Sequence, residues 1–125
     1  MKDREEIILN YLQGYNNFNV STMVANFSDE ITFENIDNGQ ISMTLHGIEA
    51  FKSQAETAKN YFSERHQIIK SFKHEEDKTE IEIEYFGVLA VDFPNGMKKG
   101  NELILKGKSI FVFKDKKIIK LTDIS

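Results

Sequence analysis

From Lys78 to Lys114 two long stretches alternate between two kinds of residue, and that alternation constrains the fold more than anything else in the chain. In the first stretch Ile81, Ile83, Tyr85, Leu89 and Val91 occupy odd positions, while Glu80, Glu82 and Glu84 occupy even ones. In the second, Leu103, Leu105, Phe111 and Phe113 are odd, and Lys106, Lys108 and Lys114 are even. Side chains of a strand point alternately to its two faces, so a period of two means extended chain with one buried face. A slip of one residue would bury the charges, so the facing is strongly specified. Strands are expected over Lys78 to Asp92 and Asn101 to Lys114, joined through Pro94-Asn95-Gly96. Setting Gly87 opposite Gly107 places Ile81 against Phe113, Ile83 against Phe111, Tyr85 against Ser109, Leu89 against Leu105 and Val91 against Leu103. Glycine in mid-strand marks a bend or a close backbone approach, so the sheet is expected to curve strongly there.

The remaining elements follow from local signals. Ile7, Ile8, Tyr11, Leu12 and Tyr15 lie on one side of a helix running from about Asp3 to Asn16, with Arg4, Glu6, Asn10 and Gln13 on the other. Asn19 is suited to cap a short second helix carrying Met23, Val24 and Phe27. Ile31 to Ile36 and Gln40 to Leu45 read as a strand pair around the hairpin signal Asp37-Asn38-Gly39. His46-Gly47 opens a third helix whose buried stripe is Phe51, Ala55, Ala58 and Phe62. Arg65 to His74 reads as the third strand, and a tight turn at Asp115 to Lys117 leads to a last strand ending at Ser125. Aligning Phe113 with Ile119 across that turn puts Leu121 and Asp123 on the inner face, with Asp123 beside Ser109 and Tyr85. The expected architecture is α+β in a single domain over 1–125: a curved, largely antiparallel sheet wrapped on three helices of the first half, with a cavity at its wide end.

Composition excludes several functions. The 125 residues carry a net charge of −4 with acids and bases interspersed, and only two arginines, Arg4 and Arg65. Without a basic stripe, nucleic acid is not an expected partner. No cysteine is present, which removes thiolate chemistry and disulfides and suits a reducing, cytoplasmic setting. No apolar run reaches the roughly twenty residues that a membrane span needs. His46, His66 and His74 lack metal-ligand spacing, so no metal is expected. The even face of the long strands is only partly charged, since Phe86, Val88, Ile104, Ile110 and Val112 share it. A mixed apolar outer face suggests a homodimer joined through the sheets.

Four segments carry a family resemblance: Tyr11-Leu12-Gln13-Gly14-Tyr15-Asn16, Phe27-Ser28-Asp29-Glu30-Ile31-Thr32-Phe33, His46-Gly47-Ile48-Glu49-Ala50-Phe51, and Lys117-Ile118-Ile119-Lys120-Leu121-Thr122-Asp123. Together they resemble the SnoaL-like polyketide cyclases and the ketosteroid isomerases of the nuclear transport factor 2-like superfamily, over essentially the whole chain. The resemblance implies their cone-shaped fold, also described as a cystatin-like α+β barrel. It also matches Tyr11 to the isomerases' tyrosine donor at the substrate oxyanion. The isomerases' general base falls on Asn35 and their second oxyanion donor on Ser109. The cyclases' acid/base aspartate falls on Asp123, and a cyclase histidine again on Ser109.

Asp123 is therefore the leading catalytic candidate and Tyr11 the second. A carboxylate at the floor of an apolar pocket has its pKa raised and can move a proton beside a carbonyl. Ser109 and Asn35 offer hydrogen bonds, and Tyr15, Tyr85 and Phe111 are expected along the ligand. His66 shares strand parity with Ile68 and Phe72 and is expected to point inward. The implied chemistry is cofactor-independent proton transfer on a hydrophobic carbonyl compound, as in a cyclase, isomerase or dehydratase. The alternative is a non-catalytic ligand-binding or dimerisation module of the same fold.

Overall fold

A computed structural model describes Lys2 to Ser125. The element order is α1 (Lys2–Asn16), α2 (Val20–Met23), β1 (Phe27–Asp37), β2 (Gln40–His46), α3 (Ile48–Ala58), a single 3-10 turn (Lys59–Tyr61), β3 (Phe62–His74), β4 (Lys78–Leu89), β5 (Glu102–Lys114) and β6 (Lys117–Ile124). The six strands form one sheet in the order β2-β1-β6-β5-β4-β3. Only β1 and β6 run parallel; every other neighbour is antiparallel. The architecture is thus the expected α+β arrangement of a mixed, largely antiparallel sheet with helices on its inner side.

The helix stripe behaves as its spacing requires. Ile8, Tyr11 and Leu12 are buried against Phe27, Ile31, Ile81, Phe111, Ile118 and Leu121, and this cluster is the core. Asn19 caps α2, its Oδ1 accepting from Thr22 N at 3.1 Å. Asn38 and Gly39 both take positive φ, the geometry a two-residue hairpin demands. Gly14 lets α1 and α2 meet: a Cβ there would stand 2.6 Å from Met23 N.

Three expectations about register are corrected. Gly107 pairs with Ile83, not with Gly87, and Gly87 pairs with Leu103, a shift of four residues from the register in which the glycines meet. The loop sets this register: Gly100 N donates to Leu89 O at 2.8 Å and Leu89 N to Asn101 O at 3.0 Å, which ends β4 at Leu89 instead of Asp92. An even shift preserves every facing, so the inner and outer faces stand as expected. Phe113 pairs with Ile118, not Ile119, because a bulge in β6 absorbs one residue; beyond it Phe111 meets Leu121 and Ser109 meets Asp123. A bulge in β3, between Ile69 and Ser71, switches parity along that strand. Arg65, Gln67 and Ile69 therefore face the inner side, while Phe72 and His74 do so beyond the bulge. Ile68, expected inside with Phe72, is 55% exposed.

The glycines still mark close approaches, one by one. A Cβ on Gly107 would lie 2.8 Å from the carbonyl oxygen of Ile124. A Cβ on Gly87 would lie 3.0 Å from the Phe62 ring.

Candidate functional site

The sheet and helices enclose a cavity of about 510 Å³ at the end where α1 finishes and β6 terminates. Its wall combines apolar side chains such as Phe33, Leu45, Phe51 and Phe62 with the polar groups of Tyr11, Tyr85, Arg65 and Asp123. A larger groove of about 760 Å³ lies at the opposite end, among Asp3, Arg4, Asp77 and Lys116. There Lys116 pairs with Asp3 at 3.5 Å in open solvent, so it lacks the dry wall that perturbs chemistry.

Asp123 reaches the cavity from β6, where it pairs with Asn35 of β1 and Ser109 of β5. Ser109 is buried, and its hydroxyl donates to Asp123 Oδ1 at 2.7 Å. Loss of surrounding water raises the Asp123 pKa to about 6, with the Ser109 hydrogen bond pulling the other way. That bond commits the only proton of Ser109. Ser109 consequently orients the carboxylate and does not donate to a ligand oxygen, which corrects the role expected for it from the sequence.

Tyr11 is buried in the helix stripe, stacked on Phe27 and edge-on to Phe111, each with centroids 5.7 Å apart. Its hydroxyl has no hydrogen-bond partner among the described residues, and the residue forms part of the cavity wall. Burial, and next the Asp123 charge, raise its pKa well above the ordinary value, so it stays a proton donor. Tyr15 and Tyr85 join hydroxyl to hydroxyl at 3.0 Å across the cavity wall. Burial raises the pKa of both. A pair of hydroxyls uses one proton internally and leaves one free to donate outward.

Other expected residues sit differently. Asn35 is in the wall, but its amide nitrogen donates to Asp37 Oδ2 at 3.2 Å and Ser42 Oγ at 2.8 Å, leaving only its oxygen available. Phe111 does not line the cavity; it is wholly buried in the core between Thr79 and Leu121. His66 is on the exposed face with its ring 3.6 Å from Glu64, because the β3 bulge breaks the parity that linked it to Phe72. Among the described residues no three His, Asp or Glu side chains converge as a metal site would need.

Arg65 is the residue the sequence reading missed. It is 2% exposed and belongs to the cavity wall. Its Nε donates to the carbonyl of Tyr15 in the last turn of α1 at 2.9 Å, where the helix dipole favours a cation. Its guanidinium lies 3.8 Å from the Tyr15 ring centroid and 4.6 Å from that of Phe18. Phe18 takes φ 57° in the position after the helix that glycine usually fills, with Asn19 N bonded to Gly14 O at 2.8 Å. Alternation alone would have placed Arg65 opposite to His66, but a charged residue at the start of a strand reads as a rim group.

No family model matches the sequence, and no curated protein is similar to it. Solved structures are similar over nearly all of the chain. One from Jannaschia sp. CCS1, assigned as a SnoaL-like polyketide cyclase, superposes with a TM-score of 0.82 at 12% identity, covering 98% of this chain and 84% of that one. TerC, co-crystallised with polyporic acid, gives 0.78 at 13%, covering 98% and 90%. A protein from Catenulispora acidiphila with a ketosteroid isomerase-like fold, in complex with trimethylamine, gives 0.77 at 16%, covering 94% and 83%. At such identities the likeness is one of fold, and the fold is the one these proteins share.

Proposed function

From a fold shared with cyclase-like and isomerase-like proteins, we propose that this chain binds a hydrophobic carbonyl compound in its cavity and moves a proton on it with Asp123. One observation carries the reading: a buried carboxylate, held by a buried hydroxyl and opening on an apolar cavity, has its pKa raised to about 6. A base of that strength is ionised at neutral pH yet basic enough to accept a proton beside a carbonyl. Tyr11, its hydroxyl unengaged, is the donor to the oxygen that gains charge, and the Tyr15–Tyr85 pair offers a second donor. Proton transfer of this kind calls for no cofactor. TerC and the Catenulispora protein hold small molecules on this fold, which supports occupancy of the cavity by one.

The test is a carbon-detected NMR titration of the Asp123 carboxyl. A midpoint near 6 supports the role; an ordinary carboxylate midpoint near 4 sinks it. A second reading, a ligand-binding module without catalysis, is favoured by one fact: the residues beside Asp123 on the neighbouring strands are Asn35 and Ser109, neither of which is an acid or a base. In that case Asp123→Asn leaves ligand affinity intact and no turnover is lost.

The outer sheet face supports a second copy of the chain as partner. Ile104 is 74% exposed and adjoins Phe86 on the next strand. Ile104→Lys is expected to convert a dimer to a monomer in light scattering; an unchanged mass excludes this face.

A further inference from the structure

Arg65 has more hydrogen-bonding capacity than the protein uses. Of its three nitrogens, Nε is bound to Tyr15 O, while Nη2 is sealed from solvent with no partner. Nη1 has no hydrogen bond among the described residues either, and no carboxylate pairs with the guanidinium. A buried cation without an acid partner is costly, and an unmet donor beside a cavity adds to that cost. The stacking on Tyr15 and Phe18 contributes attraction to the flat faces of the group. It leaves the edge between Nη1 and Nη2 unserved. Nη2 is sealed, so Nη1 is the nitrogen of that edge a ligand can reach, and its charge-assisted N–H matches a carboxylate oxygen.

We propose that Arg65 is the anion-binding end of the cavity, and that the natural ligand is an apolar molecule bearing a carboxylate. The proposal rests on the cavity being a ligand site but not on catalysis by Asp123. The position is built for rigidity. Asn16 latches the end of α1 to β3, its Oδ1 accepting from Gln67 N at 2.8 Å and its Nδ2 donating to Gln67 O at 3.3 Å. Phe18 is held in a left-handed conformation that costs about 1 kcal/mol or more for a residue with a side chain, and that conformation brings its ring to Arg65. The Tyr15–Tyr85 pair, also in the cavity wall, has one hydroxyl proton to spare. Arg65 thus fixes one end of a ligand by its charge, leaving the apolar body to Phe33, Phe51 and Phe62.

The test compares benzoate with benzamide, which share size and shape and differ in charge. The protein is titrated with each while the Nε–Hε resonance of Arg65 is followed by NMR. Benzoate is expected to bind at least tenfold tighter than benzamide and to shift that resonance. In Arg65→Met, with folding verified by its amide spectrum, the preference should vanish, and Arg65→Lys should retain part of it. Equal affinities in the unsubstituted protein, or a preference that survives in Arg65→Met, overturn the anion site while leaving the cavity as a ligand site. If neither compound binds at millimolar concentration, the cavity reading falls and takes the anion site with it.

Discussion

The two arginines of this chain hold opposite ends of the same helix, and they are treated in opposite ways. At the start of α1, Arg4 is half-exposed and donates to the carbonyls of Glu75 at 2.6 Å and Lys78 at 3.2 Å, and also to that of Glu76. Beside it His74 bridges Glu5 at 2.7 Å and Thr79 at 2.9 Å, so the polar groups at this end are matched to one another. At the end of α1, Arg65 is buried and uses one nitrogen, Tyr11 has an idle hydroxyl, and Asp123 is held in a place that opposes its charge. One end is arranged for the stability of the helix on the sheet. The other accepts a cost in stability to present unmatched polar groups to a cavity, as functional sites commonly do.

The contrast has a thermodynamic sign. Asp123 binds its proton more tightly folded than unfolded, since its folded pKa is about 6 against an ordinary 3.8. Stability is therefore fullest below the unfolded pKa and is lost as pH rises through the folded one, between about 4 and 6. A shift of roughly two units corresponds to about 3 kcal/mol. Asp123→Asn keeps the acceptor for Ser109 and removes the charge. It should be more stable than the parent by up to about 3 kcal/mol at pH 8 and nearly equal at pH 4 in urea denaturation. A gap that does not change with pH would erase the difference between the two ends.

A smaller effect is expected at Gly107. Its Cβ would press on the Ile124 carbonyl, next to Asp123, so Gly107→Ala should cost about 1–3 kcal/mol and displace the Asp123 resonances. If stability falls while those resonances stay in place, the tight contact serves the sheet and not the site. The smallest effects sharpen the arginine comparison directly. Arg4→Ala leaves three carbonyls to water and should cost about 1.5 kcal/mol. Arg65→Met exchanges a buried, half-satisfied cation for an apolar chain of similar length and should stay within about 1 kcal/mol of the parent. If the buried arginine proves the costlier one to remove, it is a structural clamp, and its idle nitrogens mean little.

Much of the frame was legible beforehand because its signals are local. The hairpin at Asp37-Asn38-Gly39, the cap at Asn19 and the stripe of Ile8, Tyr11 and Leu12 need only neighbours in sequence, and all three stand in the structure. Asp123 beside Ser109 was reachable as well, because beyond the β6 bulge the pairing follows the tight turn. Arg65 and His66 were not. Their facing depends on a bulge between Ile69 and Ser71 that no residue type announces, and it reversed the parity argument drawn from Phe72.

What the amino-acid order determined by itself is which face each residue of the long strands takes, since moving charges such as Glu82 or Lys108 inward is prohibitively costly. It could not determine which residues meet. Sliding β4 along β5 by two or four places leaves every side chain on its own face, so all such pairings look equally good to an alternating pattern. Only the folded loop, with Leu89 tied to Gly100 and Asn101, selects among them. That selection, made by backbone hydrogen bonds across the loop, is what brings Tyr85, Arg65 and Asp123 around one cavity.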